Sequence, residues 1–177
     1  MSAAEPRGIW TPGPVYVRCD TPSQRPRSPA DTILGVSAQQ DEPDVRVLVY
    51  SDDRSTRDKV TLALGRHPHP DLPRFEYLEC ATEPAVIAAM DAGGLDLAVL
   101  DGESAPAGGM GIARQLKDEI YQCPPLLVLT GRAQDAWLAT WSRADAVVPH
   151  PVDPIRLAEA VVALVRARLS AFPPLPR

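Results

Sequence analysis

The 177 residues carry 18 basic and 23 acidic side chains, a formal net charge of -5, and 45% apolar residues, enough to fill one core with an appendage left over. An acidic balance without a basic stripe argues against a nucleic-acid partner. No apolar run approaches the roughly 18 residues of a membrane span and the N-terminus lacks the apolar stretch of a secretory signal, so a cytoplasmic protein without direct membrane insertion is expected. Cys19, Cys80 and Cys123 are odd in number, scattered and without metal-ligand spacing, which suits reduced, unreactive thiols.

Residues 1–44 hold seven of the 20 prolines and show neither helical nor alternating apolar periodicity. Such a segment buries too little surface to fold alone and is expected to lie extended on a partner. Its anchors would be Trp10 and Tyr16. Arg7, Arg18, Arg25 and Arg27, set against Glu5 and Asp20, would complement an acidic groove.

From Val45 to about residue 170 the chain alternates strand and helix patterns. Val45–Tyr50 is an apolar run broken only by Arg46, the pattern of a strand buried on both faces of a parallel sheet. A helix follows over Arg54–Leu64 and stops at Gly65. The loop 66–73 places His67 and His69 around Pro68, and is read as solvated rather than metal-binding. Phe75–Cys80 is the second strand; Thr82 is placed to cap a helix that Gly93 and Gly94 end, with Pro84 in its first turn. Strands over Leu95–Leu100, Leu126–Thr130 and Asp145–Val148 alternate with helices near 111–121, 133–142 and 154–169. Leu157, Val161, Leu164, Val165 and Leu169 in the last helix are spaced for core packing. Five βα units in this order predict an α/β fold with a doubly wound, five-stranded parallel sheet, followed by a Pro-rich tail over 171–177 that leaves no room for an output domain.

Two of these strands run straight into acids: Asp52 and Asp53 after the first, Asp101 after the third. In an open parallel sheet ligands gather at the carboxyl ends of the strands, so the three acids can converge on one pocket although distant in sequence, while Asp53, on a strand-to-helix turn, need not point into it. The fourth strand ends in the hydroxyl of Thr130 and the fifth in His150-Pro151, which is read as a cis-proline turn.

Acid, acid, hydroxyl and a basic side chain, in that order, resemble the receiver domain of response regulators, a flavodoxin-like (βα)5 fold, over residues 45 to about 170. The resemblance implies that Asp101 is the phospho-acceptor, that Gly109 matches a glycine of the following loop, and that Thr130 is the switch hydroxyl. A carboxylate takes a phosphoryl group when a divalent cation neutralises the charge on its oxygens. No cofactor is expected beyond weak magnesium binding in an active site, whose implied ligands are Asp52, Asp101 and a backbone carbonyl, at Glu103.

Four positions depart from the family's pattern. Ser51 stands where the first acid belongs, with Asp53 adjacent. Magnesium prefers oxygen ligands, so losing one carboxylate weakens the site without abolishing it. His150 replaces a lysine, and a histidine is mostly neutral at neutral pH. Val147 replaces the aromatic reporter of the last strand, while Pro106 falls one residue late and Ala105 takes the usual place.

The pattern also resembles an orphan receiver-like accessory protein of actinobacterial respiratory complex I, through its Tyr-Ser-Asp-Asp and Pro-His-Pro motifs and the N-terminal arm. Two functional expectations follow. One is a non-catalytic binding subunit, not an enzyme, docked by its arm on the cytoplasmic part of the NADH:quinone oxidoreductase and not stably phosphorylated at Asp101. The alternative is a single-domain response regulator, phosphorylated at Asp101 by a histidine kinase. Trp137 and Trp141, four apart on one helical face, are expected to place one ring under the helix; an exposed one would mark a partner surface.

Overall fold

The computed structural model describes residues 45–132, 135 and 137–171. The N-terminal arm, with Trp10, Tyr16, Arg7, Arg18, Arg25, Arg27 and Cys19, lies outside the described residues, as does 172–177.

Five strands, β1 (Val45–Tyr50), β2 (Phe75–Cys80), β3 (Leu97–Asp101), β4 (Leu126–Thr130) and β5 (Ala146–Pro149), alternate with α1 (Arg54–Leu64), α2 (Glu83–Ala92), α3 (Gly109–Glu119), α4 (Trp137–Ser142) and α5 (Pro154–Ala171). All strand pairs are parallel, in the order β2-β1-β3-β4-β5. The order reverses between β1 and β3, and a ligand crevice belongs at the carboxyl ends of those two strands.

Strand alternation divides the core in two. Val45, Val47 and Val49 of β1, with Leu97, Val99, Leu127 and Leu129, face Val60 and Leu64 of α1 and Leu157, Val161 and Val165 of α5. Leu48 and Tyr50, with Ala98, Leu100, Leu126 and Val128, face Val86 and Met90 of α2 and Ile112 and Leu116 of α3. Successive side chains point to opposite faces. Every residue of β3 and β4 is buried, which is why these strands read as unbroken apolar runs.

Most expected elements appear within one or two residues. β3 begins at Leu97 and takes in Asp101, β5 runs one residue further along than expected, and α3 begins at Gly109 rather than 111. The early start of α3 follows from Gly108, which holds the extended cap position. Thr82 occupies the cap of α2, but its side chain makes no cap hydrogen bond. Leu62, an apolar residue of α1, is 85% exposed.

The helix expected over 133–142 is α-helical over Trp137–Ser142, and neither tryptophan packs beneath it: Trp137 is 68% and Trp141 54% exposed. Among the described residues of this segment Ser142 is fully buried, and the partly buried Ala144 packs against the α2/α3 half of the core. Among the described residues no helix is long and apolar enough to cross a membrane.

Candidate functional site

Asp101 closes β3 as a buried side chain. A carboxylate taken out of water needs hydrogen-bond donors, and three groups from three loops surround it. The Ser51 hydroxyl, at the end of β1, donates to Oδ2 at 2.8 Å. The Glu103 amide donates to Oδ1 at 3.0 Å. His150 Nε2, just past β5, lies 3.4 Å from the same oxygen. The His150 backbone amide donates to the Thr130 carbonyl at 2.7 Å, which continues the β4–β5 ladder and fixes where the ring begins. The His150–Pro151 bond is cis, as is Ala105–Pro106.

The loop after β3 is drawn tightly over the acceptor. A Cβ at Gly109 would sit 2.7 Å from the Asp101 carbonyl oxygen and 2.9 Å from the Leu100 carbonyl carbon, so only glycine lets the start of α3 approach this closely. Ser104, buried in the same loop, accepts a hydrogen bond from the Asp52 amide at 3.2 Å. The Tyr50 hydroxyl donates to the Ala107 carbonyl at 2.7 Å. Burial pushes that phenol up, partly offset by a Ser104 hydrogen bond, and Asp52, Glu83 and Asp101 push it further up.

The acids after β1 take separate roles. Asp53 does not enter the pocket: it is the N-cap of α1, accepting from the Ser55 amide at 2.9 Å, the Ser55 hydroxyl at 2.6 Å and the Thr56 hydroxyl at 3.2 Å. These bonds, the Ser55 hydroxyl foremost, hold its carboxyl below its ordinary value. Capping a helix with aspartate satisfies amides that have no intrahelical partner, and that demand turns the side chain away from the sheet edge. The Asp52 carboxylate is exposed and has no hydrogen bond or ion pair among the described residues.

At the other end of the pocket Thr130 is fully buried and its hydroxyl has no hydrogen-bond partner among the described residues. It stands one step beyond Leu129, the register partner of Asp101. Val147 lies half-buried on β5, paired with Val128, where it offers no ring to bury.

Two contributors escaped the sequence reading. Arg57, on α1, donates to the Ser51 carbonyl at 2.6 Å and to Glu79 at 3.0 Å, bracing the end of β1 against β2. Ser104 ties the β1 and β3 loops together. Neither has a local signal: an arginine in a first helical turn and a serine in a Ser-Ala-Pro loop read as surface residues.

The histidines of the loop after α1 stay apart from this site. His67 is exposed, and the ring nitrogens of His69 lie 3.1 Å from the Arg166 guanidinium of α5. Among the described residues no three His, Cys, Asp or Glu side chains gather closely enough to hold a metal. Cys80 and Cys123 are unpaired thiols that burial pushes up from the ordinary value, away from the thiolate form that reacts.

Asp101, Thr130 and a basic side chain at the switch point of a doubly wound sheet are the layout of a receiver domain, and comparison with known proteins agrees. The chain is 63% identical over 123 residues to the "Uncharacterized response regulatory protein" of two Mycobacterium tuberculosis strains, covering 70% of this chain and 92% of the relative. It belongs to the response-regulator family. No protein-family model matches it. Among solved structures, a Francisella response-regulator receiver domain superposes with a TM-score of 0.60 at 15% identity, over 71% of this chain and 98% of that one. A CheY-like receiver domain protein from Methanospirillum hungatei gives 0.58 at 20% identity, over 72% and 98%.

Proposed function

We propose that the chain accepts a phosphoryl group on Asp101 from a histidine kinase and passes the resulting state on by contact. The observation that carries this reading is that both residues replacing the usual acid and lysine reach the acceptor. Ser51 donates to Asp101 Oδ2 and His150 lies beside Oδ1. By sequence alone the two count as losses, which favoured the binding-subunit reading; in space they hold the same carboxylate, which favours the regulator.

In the transfer, an Asp101 oxygen attacks the phosphorus of a phosphohistidine. The new P–O bond forms as the P–N bond breaks, and the electron pair leaves with the kinase's imidazole. Ser51 and the Glu103 amide orient the carboxylate while leaving lone pairs for attack. The buried Thr130 hydroxyl gains from a phosphoryl oxygen the partner it lacks. His150 faces the charge that builds beside Oδ1. Asp52, Asp101 and the Glu103 carbonyl are oxygen donors only, and magnesium is commonly held by one or two carboxylates with waters and substrate phosphate, so the free Asp52 carboxylate fits it. When bound, such a cation neutralises charge on the phosphoryl oxygens.

Incubating the full chain with acetyl phosphate and magnesium, read by intact mass, tests the reading. A gain of one phosphoryl group that disappears in Asp101→Asn is expected; an unchanged mass in the unaltered chain overturns it.

A second reading draws on the exposed Trp137 and Trp141, which suit a contact surface. In it the receiver fold is a non-catalytic accessory subunit held by its arm on the cytoplasmic part of respiratory complex I. Purification of the tagged chain from its own cells separates the two: stoichiometric recovery of that complex, lost when residues 1–44 are deleted, supports the second reading over the first.

A further inference from the structure

The side chain of Glu103 reaches across the pocket. The family resemblance uses only its main-chain oxygen, yet its Oε1 accepts a hydrogen bond from the Gly131 amide at 3.2 Å. The fit is close, because a Cβ on Gly131 would lie 2.5 Å from the Glu103 carboxyl carbon and 2.6 Å from Oε1. Gly131 directly follows Thr130, so the end of β4 presents two neighbouring donors. One, the Thr130 hydroxyl, has no partner among the described residues. The other is already taken by an anion from the β3 loop.

We infer that the Glu103 carboxylate is a built-in anion latch on the Gly131 amide, which a phosphoryl group on Asp101 displaces. This rests on the acceptor reading and adds its regulation. A phosphoryl group carries about two negative charges and three acceptor oxygens. Placed on Asp101, two residues from Glu103, it repels the Glu103 carboxylate and competes for the donors at the end of β4. Displacement frees the β3 loop from the β4 loop, which leads into α4 and its two exposed tryptophans. A single exposed, charge-assisted hydrogen bond suits this use, since it holds the resting state without locking it.

Two substitutions release the latch by different routes. Glu103→Ala removes the anion, and Gly131→Ala crowds it out through a methyl group that only the flexible end of the glutamate need avoid. Residue-resolved hydrogen exchange on the unphosphorylated full chain should show the Gly131 amide exchanging about tenfold faster in Glu103→Ala, with β3 and β4 amides unchanged. Both variants should take phosphoryl from acetyl phosphate several-fold faster than the unaltered chain, with Glu103→Gln, which keeps an acceptor without the charge, in between. Unchanged exchange at Gly131, or equal uptake in all four proteins, overturns the latch alone. Uptake by none of them overturns the acceptor reading and the displacement with it.

Discussion

The two halves of the pocket are built on opposite principles. At the ends of β1 and β3 the polar groups are bonded except for the exposed Asp52 carboxylate: Ser51 to Asp101, the Asp53 amide to Ser51, the Asp52 amide to Ser104, Arg57 to the Ser51 carbonyl. At the ends of β4 and β5 the Thr130 hydroxyl is buried without a partner among the described residues, and His150 stands at the outer limit of a hydrogen bond to Asp101. Inside the pocket the first half is given over to holding the acceptor in place, with only the exposed Asp52 carboxylate free, and the second keeps a buried hydroxyl in reserve. Where unsatisfied groups gather is where a ligand changes the energy most, because an orphaned buried hydroxyl costs free energy until something bonds it.

Removing a hydroxyl from each half should therefore shift stability in opposite directions. Ser51→Ala strips Asp101 Oδ2 and the Asp53 amide of a partner in a buried setting and should cost about 1–3 kcal/mol, read as a lower urea midpoint at constant slope. A midpoint equal to that of the unaltered chain would erase the distinction between the halves. Thr130→Val is nearly isosteric and removes a group that has no bond to lose, so it should stabilise the resting protein by about 1 kcal/mol while reducing phosphoryl retention on Asp101. Destabilisation by this variant would mean that Thr130 is bonded in solution.

The smallest expected effect lies outside the pocket, at Asp53. Its carboxyl value is lowered in the folded protein by the Ser55 and Thr56 bonds, so its contribution is full above the unfolded value near 3.9 and is lost as pH falls through the folded value. Melting curves between about pH 5 and pH 3 should show the unaltered chain losing more stability than Asp53→Asn. Parallel curves would remove the cap from the account.

The fold was legible because its signals are local and repeated. Five apolar runs of strand length, separated by amphipathic stretches with Gly and Pro punctuation, leave few alternatives to a doubly wound sheet, and Asp101, Thr130 and His150 were placed by standing at or just past the ends of those runs. What stayed hidden depends on which way a side chain turns. Asp52 and Asp53 are neighbours with the same chemistry, and only the demand of α1 for a cap separates them. Ser51 and His150 read as deletions of charge because a sequence shows what a residue lacks, not what it reaches. Glu103 was visible only through its backbone, since its side-chain contact joins positions 28 apart. The short α4 was misjudged because two tryptophans at helical spacing suggest a buried stripe, whereas both rings are exposed and the buried residue at its end is Ser142.

That arrangement gives the protein a native optical probe. Two of its three tryptophans lie on one six-residue helix with their rings largely in water, so much of the intrinsic ultraviolet emission originates from α4. Events that dehydrate or reposition this helix register in colour and quenching of that emission without an added dye, which makes the segment leading away from the Thr130 end of the pocket observable in the unmodified chain.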